Sequence, residues 1–503
     1  MINKRLWIGI PEPSISEETR QHLLEVRPGG VILFGRNVTS VIQLKQLIAD
    51  LRSILGPSLL VSIDQEGGRV VRIAEGVTLF PGNLSLGAAA MRDRDQALSW
   101  AREQGRISGA ELRELGIDVN LSPCVDLLRS SDERGIGSRS FGSDPELALA
   151  LATEIGSGHR ELGVHDCWKH FPGIGRVKVD PHFGLPRITK EGSEDHTVPF
   201  RGAQEAEASM IMTSHVVAEA LDRENPVTTS RLAVNDFLRD ELGFSGVVIT
   251  DCLEMGGVSG FDFEEVVISA AVAGHDALLV SHTPALQIRA LRALEKGIEN
   301  DALLESEHQE SLKRLGDLEA NRRTDLFEAS SEAITGVDLA LEMARAGTTL
   351  LSGPAARVVG PHRWLLVVPG LENRSPVEDP LRGEDLAVLI EKLRPHVETM
   401  EIDSGPAEDL IEDVVERGRS RGGVLLLVQG LRHCVGTQAL VAALARESFR
   451  LIIVLLEDPR DLVAIPAGEQ ISVITSYGFR SLHQEALASA LLGETAPFDQ
   501  SPL

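Results

Sequence analysis

A chain of 503 residues is too long for one ordinary core, and its formal net charge of −26 excludes nucleic acid as the main partner, because phosphate backbones are bound by basic surfaces. Apolar residues make up 43% and charged residues 25%, the balance of a water-soluble globular protein, and no apolar run reaches the ~18–20 residues that span a membrane. Lys4 and Arg5 precede only a short apolar run before Pro11, which is no signal peptide, so the expected location is the cytoplasm. The cysteines Cys124, Cys167, Cys252 and Cys434 form no CxxC pair and sit in or beside apolar stretches, as buried thiols in a reducing compartment do.

In chain order, the first two-thirds repeats one theme: a short apolar run, a polar residue at its end, then a longer amphipathic stretch. The runs are RLWIGI (5–10), GVILFG (30–35), LLVSID (59–64), IDVNLS (117–122), VHDCWKH (164–170), MIMTSH (210–215), GVVITD (246–251) and DALLVS (276–281). Segments such as VIQLKQLIADLRSIL, with apolar residues near i, i+3, i+4 and i+7, read as helices between them. Strands alternating with helices predict a parallel sheet, and eight units over about 300 residues predict a TIM-type (β/α)8 barrel. Arg36, Asp64, Asp126, Lys169, His170, His215, Asp251 and His282 then fall at or just past strand C-termini. In a barrel those ends converge on one rim, where active sites are built.

After Asn300 the chain turns helical and charged, and a second strand series follows at 363–370, 397–402, 422–430, 450–458 and 470–478. The expected organisation is a barrel over 1–335, a helical linker over 336–354 and a smaller open α/β domain over 355–503. Neither a strand-borne GxGxxG nor a P-loop is present, so no nucleotide cofactor is expected.

Four stretches carry chemistry. VSIDQEGGRVVRI places Asp64, Glu66, Arg69 and Arg72 around Gly67-Gly68; this is either a surface ion network or a carboxylate–guanidinium clamp for vicinal hydroxyls. RGIGSRSFGSDP, with Arg134 and Arg139, can be a phosphate cradle, a sugar-binding loop or a turn. Asp251, ending VVITD, can be a helix cap, a metal ligand or a nucleophile; no HxH or HExxH supports a metal. KHFPGIGRVKVDPHFGLP sets Lys169 and His170 at a strand end and Asp180 two residues before His182 in a Pro- and Gly-flanked loop. An aspartate beside a histidine favours the imidazolium and fixes its tautomer, which gives a general acid near neutral pH.

Together with GGVILFGRN, IDQEGGRVVR, RSFGSDP, MTSHV and ELGFSGVVITDCLEM, that stretch resembles the signature of the glycoside hydrolase family 3 β-N-acetylhexosaminidases of peptidoglycan recycling. The motifs span residues 29 to 255 in the family's order. The resemblance implies Asp251 as catalytic nucleophile, His182 as general acid/base and Asp180 as its partner. It implies Asp64, Arg72, Arg139, Lys169 and His170 as holders of the hydroxyls of a non-reducing N-acetylglucosamine, with His215 also assigned to the substrate site. It further implies retaining, exo-acting hydrolysis of a carbohydrate substrate such as a muropeptide or chito-oligosaccharide, by a monomer or homodimer without cofactor or metal. The alternatives are a family 3 β-glucosidase, a phosphate-using glycosyl phosphorylase, and a non-catalytic sugar-binding protein. Two positions depart from the pattern: Ile174 stands where the family has histidine, and Pro181 where it has serine.

Overall fold

All eight strands expected in the first part of the chain form, and they close in sequence order into a parallel barrel. The computed structural model describes residues 2–129, 135–177, 179–190, 194–300, 302–322, 336–358, 360–371 and 386–503. Its barrel strands are β1 (Leu6–Gly9), β2 (Gly30–Leu33), β3 (Leu60–Ile63), β4 (Val119–Asn120), β5 (His165–Phe171), β6 (Met210–Thr213), β7 (Val247–Cys252) and β8 (Ala277–Val280). Closure runs through β1 and β8, with Trp7 opposite Leu279.

Alternation along each strand decides which side chain goes where. Leu6, Ile8, Val31, Leu33, Val61 and Ile63 point outward, against the helices. Trp7, Ile32 and Leu60 point inward and meet Val119, Cys167, Met210, Met212, Val247, Ile249, Ala277 and Leu279. The interior is thus a packed core rather than a pore. Leu315 and Leu318, on the helix Ala302–Ala320, join that cluster at the strands' N-terminal end, where the Leu318 carbonyl meets the His165 ring at 2.9 Å. Chemistry is therefore left to the opposite, C-terminal rim.

Several polar residues after strands are caps. Ser40 accepts from the Gln43 amide at the start of Val41–Leu55, Asp144 caps Pro145–Glu161, and Asp262 caps Phe263–Ala273. Among the described residues no helix is long and apolar enough to cross a membrane.

The second sheet contains β9 (Thr349–Ser352), β10 (Trp364–Pro369), β11 (Val397–Ile402), β12 (Val424–Val428), β13 (Leu451–Leu455) and β14 (Ile471–Thr475), in the order β9-β14-β13-β12-β10-β11. β9 is antiparallel to β14 and the others are parallel. Apolar clusters cover both faces of the sheet. Within 336–354, expected to be helical, Gly336–Gly347 is helix but Thr349–Ser352 is strand β9. Its partner Thr475 lies more than a hundred residues away, and no local pattern reveals such a pairing. The expected boundary at residue 335 lies outside the described residues.

Candidate active site

The rim residues build two groups, one of buried ion pairs and one on a loop above it. The first begins at the end of β3. Asp64 accepts from Lys169 Nζ at 2.6 Å and from Arg72 Nη2 at 3.4 Å. Lys169 Nζ also stands 2.6 Å from Glu66 Oε1. Glu66 in turn accepts two bonds from Arg139, Nε to Oε2 at 2.9 Å and Nη2 to Oε1 at 2.7 Å. This fork-on-fork geometry is what a guanidinium and a carboxylate favour. All five side chains are buried.

Burial alone would make these charges costly, so their pairing decides their state. For Asp64 and Glu66, burial pushes the carboxyls up, but Lys169 with Arg72, and Arg139 with Lys169, outweigh it and hold both below the usual carboxylate range. Lys169 is raised by Asp64 and Glu66 against the opposing effect of burial. The cluster is a fixed array of charges at neutral pH, able to donate to and accept from hydroxyl groups without changing its own protonation.

His170 hangs on Asp126, which is wholly buried. Asp126 Oδ2 lies 2.7 Å from His170 Nδ1 and accepts from the His170 amide at 3.0 Å; Oδ1 accepts from the Ile174 amide at 2.7 Å. Because Asp126 only accepts, Nδ1 carries the proton. Nε2 lies on the other side of the ring, where Arg139 Nη2 approaches it at 3.5 Å. The Ile174 side chain is buried in the apolar cluster that also holds Phe171, Val177, Ile188 and Phe200. Cys124, Asp126 and His170 are the three groups among the described residues whose atoms converge within 4.8 Å as cation ligands do. The Asp126 oxygens are already taken up as acceptors, and burial keeps the Cys124 thiol protonated, so the set fits a hydrogen-bonded node better than a metal site.

The second group is the loop of Asp180 and His182. Asp180 Oδ1 accepts from the His182 amide at 2.9 Å and lies 2.6 Å from Nδ1. Burial pushes the Asp180 carboxyl up, but the hydrogen bond from His182 and its charge outweigh this and hold it below its ordinary value. Nδ1 donates to the carboxylate, which leaves Nε2 facing outward on a side chain 26% exposed. Two backbone bonds dock the loop on the segment after β7: Gly257 N to Pro181 O at 2.8 Å and Gly256 N to His182 O at 3.3 Å. The approach requires glycine. A Cβ on Gly256 would stand 2.6 Å from the His182 carbonyl oxygen, and one on Gly257 would stand 2.7 Å from His215 Cβ.

That segment follows Asp251, half-buried near the end of β7, whose Oδ1 accepts from the Cys252 amide at 2.7 Å. His215 lies wholly buried behind it. Its Nε2 donates to the Cys252 carbonyl at 2.8 Å, and its Nδ1 meets the Thr228 hydroxyl at 2.6 Å. Burial lowers its pKa and keeps the ring neutral. With both nitrogens engaged, His215 has no atom to offer a sugar hydroxyl and instead props the backbone beside Asp251.

Of the expected site residues, Asp64, Arg72, Lys169, Arg139 and His170 form one connected set. Asp180, His182, His215 and Asp251 meet through the 252–257 segment. Arg36 and His282 lie beside each other at the end of β8: Arg36 donates to the carbonyls of Ile10 and Ser281, and the His282 amide donates to Glu254 of the 252–257 segment at 2.6 Å. Arg134 lies outside the described residues. The sequence placed Asp126 at a strand end and Glu66 in a charged loop, but the family resemblance assigned neither a role in the site.

The N-terminal domain model of glycosyl hydrolase family 3 matches residues 4–318. A β-hexosaminidase of Chromobacterium violaceum is 37% identical over 285 residues, which cover 56% of this chain and 79% of that protein. Among solved structures, a glycoside hydrolase family 3 β-N-acetylglucosaminidase from a Paenibacillus species superposes with a TM-score of 0.91 at 31% identity, covering 100% of this chain and 97% of its own. NagZ from Neisseria gonorrhoeae, in complex with N-trifluoroacetyl-D-glucosamine, gives a TM-score of 0.54 at 30% identity over 63% of this chain and 97% of its own. The family match takes in every barrel strand and the whole rim described above, and the chain belongs to glycosyl hydrolase family 3.

Proposed function

We propose that the protein is a retaining, exo-acting β-N-acetylglucosaminidase that removes terminal non-reducing N-acetylglucosamine from muropeptides or chito-oligosaccharides. The barrel, over 1–335, is the catalytic domain; the second domain, expected over 355–503, also takes in strand β9 at 349–352. The observation that carries the reading is the docking of the Asp180–His182 pair onto the segment that follows Asp251, above a buried cluster of paired charges. The relatives named β-hexosaminidase and β-N-acetylglucosaminidase support the substrate class.

Asp64, Arg72, Arg139, Lys169 and His170 hold the sugar's hydroxyls, since they combine buried donors and acceptors held in place by one another. A proton on His182 Nε2 passes to the glycosidic oxygen while an Asp251 oxygen attacks the anomeric carbon, forming a glycosyl ester and releasing the aglycone. Neutral His182 then takes a proton from water, the resulting hydroxide attacks the same carbon, and Asp251 leaves as carboxylate. Two inversions give net retention. Asp180 holds Nδ1–H throughout, so only Nε2 exchanges protons.

The test is release of chromophore from an aryl β-N-acetylglucosaminide, with the anomer of the first-formed product read by NMR. Asp251→Ala is expected to lose turnover by several orders of magnitude. Wild-type turnover in that variant, or an inverted first product, overturns the assignment.

A further inference from the structure

We propose that the second domain is a clamp on the sugar-binding loop, with Glu457 and Arg480 as positioning residues for Asp64, Glu66 and Arg72; this rests on the sugar-binding role given to that loop above. Gln429, Glu457 and Tyr477 follow the carboxyl ends of β12, β13 and β14, the edge where open α/β sheets commonly place ligands. Here that edge is turned onto the barrel. Tyr477 is buried against Leu84, Ala88 and Leu128. Glu457 pairs with Arg69, Oε1 to Nε at 3.5 Å, and its other oxygen accepts from Gln429 at 3.1 Å. Arg480 Nε donates to the Gly68 carbonyl at 2.5 Å, and His483 Nε2 donates to the Pro81 carbonyl at 2.9 Å.

The clamped residues, Gly68 and Arg69, lie between Glu66 and Arg72, so their position sets the direction of both arms of the loop. Gly67 and Gly68 have φ of +86° and +55°. A Gly-Gly turn has much conformational freedom to lose on ordering. The turn is pressed into two layers: Gly68 N donates to Phe80 O at 2.9 Å, and a Cβ on Gly68 would stand 3.1 Å from Gly82 Cα. The second domain backs the outer side of both layers, through Arg480 at Gly68 and His483 at Pro81. Arg69 also stands against the other sugar-binding loop, since a Cβ on Gly137, two residues before Arg139, would lie 2.8 Å from Arg69 Nη1. Glu457 therefore fixes a guanidinium wedged between the loops that supply Glu66 and Arg139, the two partners of the buried fork. Holding binding groups in place before substrate arrives lowers the ordering cost of binding.

The full chain carries the test, with Glu457→Gln and Arg480→Gln as variants and Glu485→Gln, at a partly exposed pair with Lys392 in the same domain, as control. Hydrogen exchange of segment 65–72 is expected to quicken on the order of tenfold in both variants and not in the control. KM for an aryl β-N-acetylglucosaminide is expected to rise about tenfold, with kcat changed much less, because the loop binds ground and transition states alike. Unchanged exchange overturns the clamp whatever the substrate, and quickened exchange with an unmoved KM overturns the positioning role. A wild-type protein that releases no chromophore overturns the functional reading, and the exchange result then decides the clamp alone.

Discussion

Replacing Asp180 by alanine isolates the carboxylate's share of the proton transfer. The variant loses the 2.6 Å bond to Nδ1 and the 2.9 Å bond to the His182 amide. It also loses the attraction between carboxylate and imidazolium, about 4 kcal/mol for charges ~4 Å apart at an effective dielectric of ~20. The His182 side chain is 26% exposed, so water screens part of this. We expect ~2–3 kcal/mol to be felt in the transition state, which is about thirty- to two-hundredfold in rate. His182→Ala removes the donor itself and should cost ~10²–10⁴. The diagnostic is the leaving group. A sugar alkoxide needs the proton, so kcat/KM on N,N′-diacetylchitobiose should take the full loss. A dinitrophenolate leaves unaided, so kcat/KM on that aryl glycoside should barely move. Hydrolysis of the glycosyl-enzyme then becomes slow: kcat and KM fall together, and azide, which needs no base, restores turnover with a β-glycosyl azide as product. Equal losses on both substrates, or no azide product, would refute the assignment of proton transfer to this pair.

Two further outcomes follow from the buried charges. Lys169→Met leaves Asp64 and Glu66 buried without their shared ammonium and should destabilise the fold by ~3–5 kcal/mol, seen as a lower thermal midpoint, besides abolishing turnover. Folded Asp64 and Glu66 titrate below their unfolded values, so as pH falls through about 4 the unfolded chain binds more protons. Their stabilisation is present above that range and lost below it, so the midpoint should drop on acidification. His159, His275 and His483, held at about 4 by burial, begin the decline earlier, as pH falls below about 6.5. A flatter acid limb in Glu66→Gln checks the carboxylate part.

The barrel was legible because its cause is local. Runs such as RLWIGI and GVVITD carry their own burial, and a helix-period stretch between two of them leaves few alternatives to a βα unit. β9 was not legible, since Thr349–Ser352 becomes a strand only by meeting β14. The site divides the same way. Lys169, His170, Asp180, His182 and Asp251 are reactive types at strand ends or in a Pro- and Gly-flanked loop, and they attract notice. Glu66 passed for one charge in an ionic loop; its worth depends on Arg139 and Lys169 converging on it from distant segments. Asp126 gave no signal beyond its place past β4, because its donors come from residues 170 and 174. His215 stood in a recognisable motif, yet its partners Thr228 and the Cys252 carbonyl make it a support. The contacts of Arg480 and His483 with Gly68 and Pro81 join residues some four hundred positions apart and had no trace in either segment alone.

Of the three donors that Asp126 draws from residues 170 to 174, two are peptide N–H groups, including that of Ile174. A peptide N–H is supplied by every residue except proline. The exchange of histidine for isoleucine at 174 therefore leaves this anchor intact, and only core packing constrains what stands there. Proline is the one substitution the anchor itself forbids. Variability at such a position records which of its atoms are in use, and says little about its distance from the reaction.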